Sequence, residues 1–313
     1  MGQAEDWDKL RSACLKYRNW GKWGPDDEIG CLNYVTPEKI ANAGKLIQKG
    51  KVFSLAIAMD INGPQLPGGR RFNPMVFMLR DGSDSIAVPE TGEWADDIFM
   101  MPTHGATHWD ALGHVHYEGK MWNGYSASNV TSGGAAKCGI QTLKDKTVGR
   151  GVLLDVARYR GVEWLEAGEE ITSAELDATA AKQKVEIKSG DFICVRTGNI
   201  GMSRKLGTWG ETAAGDAPGV AFETCGWIYD HQIAAMAVDT WGCEVRPNKL
   251  KTGGQPWHRV VIPNIGMLMG EWFDLDALAE DCAQDGQYDF LMVAAVIPFT
   301  GAVGTPVNPI AIK

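Results

Sequence analysis

The stretch M-P-T-H-G-A-T-H-W-D-A-L-G-H-V-H-Y-E-G, residues 101–119, decides how the rest of the chain is read. It holds His104, His108, His114 and His116, four of the six histidines, with Asp110 among them. Proportional placement would put about 0.25 histidines in the 13 residues from His104 to His116. On a flat strand the even-numbered members would share a face. Residues four apart on a strand, however, are separated by about 13 Å, too far for two imidazoles to share a cation with bonds of about 2.1 Å. A helix would join His104 to His108 and turn Asp110 away. The chain must therefore bend here. An irregular loop beside a strand or a short helical turn is expected, with Gly105 and Gly113 supplying the backbone freedom. Imidazole nitrogen with carboxylate oxygen suits Zn, Mn or Fe better than Ca or Mg, and such a set leaves positions open for chemistry. A nearby histidine can then carry protons.

From His104 to His114 the sequence reads H-G-A-T-H-W-D-A-L-G-H. This resembles the H-x-G-T-H-x-D-x-P-x-H motif of the metal-dependent cyclase family, which includes bacterial kynurenine formamidase and isatin hydrolase. Ala106 stands where the family has Gly, and Leu112 where it has Pro; neither position supplies a ligand. The resemblance implies that His104, His108 and Asp110 bind a first metal, that Asp110 bridges to a second when one is bound, and that His114 is the catalytic histidine. It assigns the remaining ligands to His258, in Q-P-W-H-R-V-V-I, and Glu271, in M-G-E-W-F-D-L-D, with a gap one residue longer than the family's. Glu at the second place leaves a two-metal site open. W-G-P-D-D-E-I-G-C-L-N (23–33), W-N-G-Y (122–125), V-D-T-W (238–241) and the tail G-A-V-G-T-P-V-N-P-I-A-I-K extend the resemblance along almost the whole chain. It implies an α/β fold with a swivelling β/β/α arrangement, a mixed sheet packed with helices, and a homodimer or homotetramer with sites near subunit contacts.

Outward from the motif, a helix is expected over 37–49, capped by Thr36, with Pro37 in its first turn and Gly50 ending it. A second starts at Thr172, where Glu175 completes capping-box spacing. A third covers 221–231, with Phe222, Trp227 and Ile228 inward. Apolar runs predict strands over 52–58, 151–156, 192–196, 233–238 and 290–298. Strands and helices alternate, which is α/β or α+β. No composition break divides the chain, so residues 1–313 are expected to form one domain.

The 313 residues are 44% hydrophobic and 22% charged, ordinary for a globular protein. The net charge of -9 and the lack of a Lys/Arg-rich run disfavour a nucleic-acid partner. The charged N-terminus does not read as a secretory signal, and no apolar run of about 18 residues predicts a membrane span. Seven cysteines with no C-x-x-C pair argue for reduced thiols and a cytoplasmic location rather than a disulfide framework. There is no G-x-S-x-G elbow and no phosphate-binding glycine loop.

The expected function is metal-dependent hydrolysis of a cyclic amide, a lactone or an N-formyl amide, with Zn or Mn as one or two ions. A cyclase or lyase on a small, possibly aromatic, substrate and a non-catalytic metal-binding protein are the alternatives. Trp20, Trp23, Trp109 and Trp122 are expected in loops, where they could wall a pocket for a flat substrate. Arg70 and Arg71 are candidates to meet a substrate carboxylate. His116 is either a hydrogen-bonding support or purely structural, and His231 is expected to be structural.

Overall fold

The longest apolar runs of the chain lie side by side at the centre of one sheet. The computed structural model describes residues 2–87, 90, 92–210 and 212–313. Among them, fifteen strands follow in order: β1 (Val52–Ser54), β2 (Met75–Arg80), β3 (Asp96–Met100), β4 (His108–Asp110), β5 (Val130–Thr131), β6 (Gly134–Ala135), β7 (Val148–Asp155), β8 (Glu170–Ile171), β9 (Phe192–Arg196), β10 (Gly219–Val220), β11 (Ala235–Val238), β12 (Leu268–Glu271), β13 (Asp289–Val293), β14 (Gly304–Pro306) and β15 (Ile310–Ile312). Nine of them form a mixed sheet in the order β1-β15-β13-β7-β9-β11-β12-β4-β14. Its centre, β7-β9-β11-β12, is parallel. Antiparallel strands flank that centre on both sides.

The central strands read as continuous apolar runs because both faces are covered. Val152, Leu154, Ile193, Val195, Met236 and Val238 point into one core. Leu153, Phe192, Cys194, Ala235 and Ala237 point into the other. This is the two-residue alternation of a strand, and each large side chain so buried stabilises the fold by about 1.5–3 kcal/mol. Helices Ser173–Gln183 and Thr224–His231 lie in the β7–β9 and β9–β11 connections, since parallel neighbours need a crossover.

The expected caps form. Thr36 Oγ1 accepts from Lys39 N–H, and Thr172 Oγ1 accepts from Glu175 N–H. The first expected helix, however, ends at Gly44 rather than at residue 49. Lys49 and Lys51 donate their amides to the carbonyl of Lys313, which draws the chain out of the helix toward β15. The third begins at Thr224, because Ala221 still donates to Ile171 beside the β8–β10 pair, and Phe222 is only half-buried. Among the strands, 192–196 matches. The other four are shifted or shortened: 52–54, 148–155, 235–238 and 289–293. A helix at Gln3–Lys16 was not expected; it buries only Leu10, Ala13 and Cys14, too thin a stripe to read.

The 23–33 and 122–125 motifs fold onto each other. Asp27 accepts from Trp122 Nε1 at 2.9 Å, Gly30 N at 2.8 Å and Asn33 Nδ2 at 2.6 Å, and Asn123 Nδ2 donates to the carbonyls of Gly24, Pro25 and Asp27. Trp122 is fully buried in this clamp. The β2–β3 hairpin contrasts with everything else: Val76, Phe77, Met78, Leu79, Ile98 and Phe99 are all exposed.

Candidate metal centre

Strand β4 is the platform of the site. It runs between β12 and β14, with Glu271 and Pro306 opposite His108, and Met269 and Gly304 opposite Asp110. His108 and Asp110, two residues apart, face the same side; Trp109 faces the other. The expected loop is therefore a strand at these three residues. Trp109 is not a pocket wall: it is fully buried, packs on Phe273 at 4.8 Å and donates Nε1–H to Ala294 O at 3.0 Å. His104 reaches the same spot from a turn closed by Gly105 N–H to Pro102 O. Gly105 and Gly113 serve a different purpose from the one expected. Neither has positive φ; a Cβ would stand 3.1 Å from Pro102 O at Gly105 and 2.9 Å from Cys138 O at Gly113. Space, not backbone freedom, requires glycine there.

The six residues named from the sequence converge. His104, His108 and Asp110 offer ligand atoms within 4.8 Å of one another, and so do Asp110, His258 and Glu271. Asp110 Oδ1 lies 3.3 Å from His104 Nε2 and 3.2 Å from His108 Nε2. Glu271 lies 3.7 Å from His108 Nε2 through Oε2, and 3.7 Å from His258 Nε2 through Oε1. His114 Nε2 is 3.9 Å from Asp110 Oδ2, and its ring stacks on His104 at 4.2 Å.

Each of the three imidazoles is oriented through its other nitrogen. His108 Nδ1 meets Ala106 O at 2.7 Å, His258 Nδ1 meets Glu244 Oε1 at 2.5 Å, and His104 Nδ1 meets Thr103 Oγ1 at 3.0 Å. Donation from Nδ1 to an oxygen leaves the Nε2 lone pair free to bind a cation. The fit to a metal is direct. His104 Nε2, His108 Nε2, Asp110 Oδ1 and Glu271 Oε2 are buried and have no hydrogen-bond partner. Buried polar atoms left unpaired cost about 1–3 kcal/mol each, and four aimed at one place form a donor set for a divalent cation.

The electrostatics fit as well. Burial pushes the His104 imidazole well down, and His114 beside it adds to this. Burial also lowers His114; Asp110 opposes the shift, and Arg71 reinforces it. At Asp110 burial works the other way, but His114 and the two neighbouring imidazoles outweigh it and hold the carboxyl down.

Arg71 donates to His104 O at 3.2 Å and so borders the centre, whereas Arg70 is exposed. His116 Nε2 meets Gly113 O at 3.1 Å and ties the loop. His231 Nδ1 meets Trp227 O at 3.0 Å, one helical turn back, a structural role. Sequence reading missed Glu244, which is fully buried. It also accepts from the amides of Trp257 and His258, each at 3.2 Å. An acid so far upstream of His258 leaves no short-range spacing to find.

The cyclase family model, described as "Putative cyclase", matches residues 35–245. The chain belongs to the cyclase family. This cyclase is 40% identical to a crystal structure described as a novel cyclase, over 95% of this chain and 100% of that one, with a TM-score of 0.88. Two more distant structures share the fold. Isatin hydrolase A from Ralstonia solanacearum is 18% identical, over 89% of this cyclase and 98% of that chain, with a TM-score of 0.63. A predicted metal-dependent hydrolase from Bacillus stearothermophilus is 19% identical, over 84% and 98%, with a TM-score of 0.53. No curated protein matches the cyclase by sequence. Among its described residues, no helix is long and apolar enough to cross a membrane.

Proposed function

We propose that this chain is a metal-dependent hydrolase that opens a cyclic amide or lactone, or cleaves an N-formyl amide. The observation that carries the reading is the set of four unpartnered, buried ligand atoms beside His114. His104, His108 and Asp110 would hold one cation; Asp110, His258 and Glu271 would hold a second where two are bound. Zn or Mn suits this nitrogen-and-carboxylate set. When bound, the metal supplies Lewis acidity toward the substrate carbonyl and lowers the pKa of water to about 7.

The chain's residues do the rest. Burial keeps His114 neutral near pH 7, so its Nε2 accepts the proton of the attacking water and passes it to the leaving nitrogen or oxygen. Asp110 Oδ2, at 3.9 Å, stabilises the imidazolium so formed. Arg71 holds the His104 turn in place through its carbonyl. The near-complete burial of the ligands excludes bulk water and strengthens each of these interactions.

Hydrolysis is supported by two of the similar structures, an isatin hydrolase and a predicted metal-dependent hydrolase, while the 40% identical one is described as a cyclase, which keeps cyclisation as the second reading. We further propose that the protein works as a homodimer or homotetramer, joined through the exposed β2–β3 hairpin. A two-stranded ribbon with both faces in water is marginally stable by itself, and a second copy would cover its apolar side chains. The seven free, buried cysteines fit the reducing cytoplasm.

The test is elemental analysis of untagged protein. Stoichiometric Zn or Mn in the wild type, lost in a His108→Ala/Asp110→Ala pair, supports the reading. His114→Ala should keep the metal and lose about 10²–10⁴ in turnover on lactones, cyclic amides or formamides. Solvent ¹⁸O entering the product separates hydrolysis from cyclisation. A wild-type chain that cannot be loaded with either metal sinks the proposal.

A further inference from the structure

Beside the metal centre lies a cation, Arg246, that forms no ion pair among the described residues. Arg246 lays its guanidinium flat on the indole of Trp241, 3.1 Å from the ring centroid. Its Nη2 packs across Gly242: a Cβ there would stand 2.2 Å from that nitrogen and 2.8 Å from Gln255 Nε2. Gln255 Nε2 is in turn 3.2 Å from His258 Nε2, so Arg246 is one side chain removed from a metal ligand. Its backbone is pinned by paired hydrogen bonds to Ala217, at 2.8 and 3.1 Å. Gly242 has φ +79, in the left-handed region, so the backbone favours glycine under the guanidinium.

The guanidinium is held but not satisfied. Its Nε and Nη2 are buried without a hydrogen-bond partner. Glu271, Glu244 and Asp216 face it and favour its charge, against burial, which pushes it down to about 10. Those acids are committed elsewhere: Glu271 to the metal site, and Glu244 to His258 and two backbone amides. Burying a guanidinium with open donors is costly, and the cost is removed only when an acceptor arrives. The planar fork of arginine matches a carboxylate above other acceptors. Arg246 also lines an open cavity of about 320 Å³ with Asp216, Pro247 and Leu250.

We propose that Arg246 anchors a carboxylate of the small molecule processed at this centre, with Trp241 and Gly242 holding the guanidinium in position. The nature of that molecule rests on the hydrolase reading above. The carboxylate has two possible sources: it is carried by the substrate, or it is formed when a ring opens.

The experiment is calorimetric titration of the metal-loaded chain and of Arg246→Met and Arg246→Lys. The probes are benzoate against benzamide, then phthalide, its ring-opened acid 2-(hydroxymethyl)benzoate, and a carboxyl-substituted phthalide. Wild type should prefer benzoate to benzamide. Arg246→Met should weaken the acids about 10- to 100-fold and leave the neutral probes unchanged. Arg246→Lys, which keeps charge but not the fork, should fall between, and it carries the test if the Met variant does not fold. Dependence limited to the ring-opened acid assigns the carboxylate to the product; dependence shared by the carboxylated ring assigns it to the substrate. Equal affinity of wild type and variants for every acid, or no preference for benzoate over benzamide in wild type, overturns the proposal. Elemental analysis of the same samples separates the two readings. Arg246-dependent binding of acids without metal uptake removes the hydrolase reading alone, and metal uptake without that dependence removes this one alone.

Discussion

Gly304 lies flat against the imidazole of His104: a Cβ on Gly304 would stand 2.2 Å from His104 Nε2. Nε2 is the atom that faces Asp110 at 3.3 Å, so even one methyl group there would displace this candidate ligand. Gly304→Ala should lower metal affinity by about 10- to 100-fold, the range seen when groups supporting a ligand are altered. Competition titration against a chromophoric chelator reads this, and circular dichroism confirms that the variant folds. Unchanged affinity would show that His104 is not a ligand.

Glu244 fixes His258 through Nδ1 at 2.5 Å. Glu244→Ala should loosen the second set of ligands, weakening metal binding about 10- to 100-fold. Glu244→Gln, which can still accept that hydrogen bond, should lose less. The order wild type, Gln, Ala in metal affinity is the expected outcome; identical values for the three would remove Glu244 from the site.

Lys313 is fully buried, its Nζ 2.9 Å from both Asp281 and Asp285, and Lys49 donates to Asp285 at 2.7 Å. Burial would raise the Asp285 carboxyl, but Lys49, the Gln287 amide and Lys313 outweigh it and lower it to about 2. A depressed folded-state pKa contributes stability above the unfolded value of about 3.9, and that stability is lost as pH falls through about 2. Asp285→Asn should therefore destabilise the chain by on the order of 1 kcal/mol at pH 7, a modest figure because Lys49 is exposed. The deficit should shrink between about pH 4 and pH 2. Urea unfolding across that range checks the sign.

The β2–β3 hairpin exposes Phe77, opposite Ile98, and Phe99, opposite Val76. Phe77→Asp/Phe99→Asp should convert a species of two or four times the 34.0 kDa chain mass to one of 34.0 kDa in light scattering. Wild type that runs as a single chain would sink the oligomer proposal.

The short-range part of the site was legible because its ligands are close in sequence, and donor type alone pointed to a metal. His258 and Glu271 came from family likeness, since no local pattern marks them. The local structure of 108–110 was misjudged because three residues are too few to carry a strand signal. Only the neighbours β12 and β14, from distant parts of the chain, make them one. Trp109 then turns into the core by the same alternation that turns His108 and Asp110 out. Glu244, Arg246 and Gly304 were invisible for a related reason: what each does is defined by a contact across the fold. Helix ends moved where tertiary hydrogen bonds, such as those to Lys313 O, competed with the local stop signals.

The placement of β4 between β12 and β14 also sets an order of events. His108 pairs with Glu271 on one side and Pro306 on the other. The pocket thus closes only after the histidine segment has met two segments more than 150 residues further along the chain, which is slow for a non-local topology. During synthesis, a ribosome-bound chain that has exposed only its histidine segment has no complete cation trap. Completion of the Asp110, His258 and Glu271 set is in this way deferred until the sheet is finished, whereas His104, His108 and Asp110 emerge together.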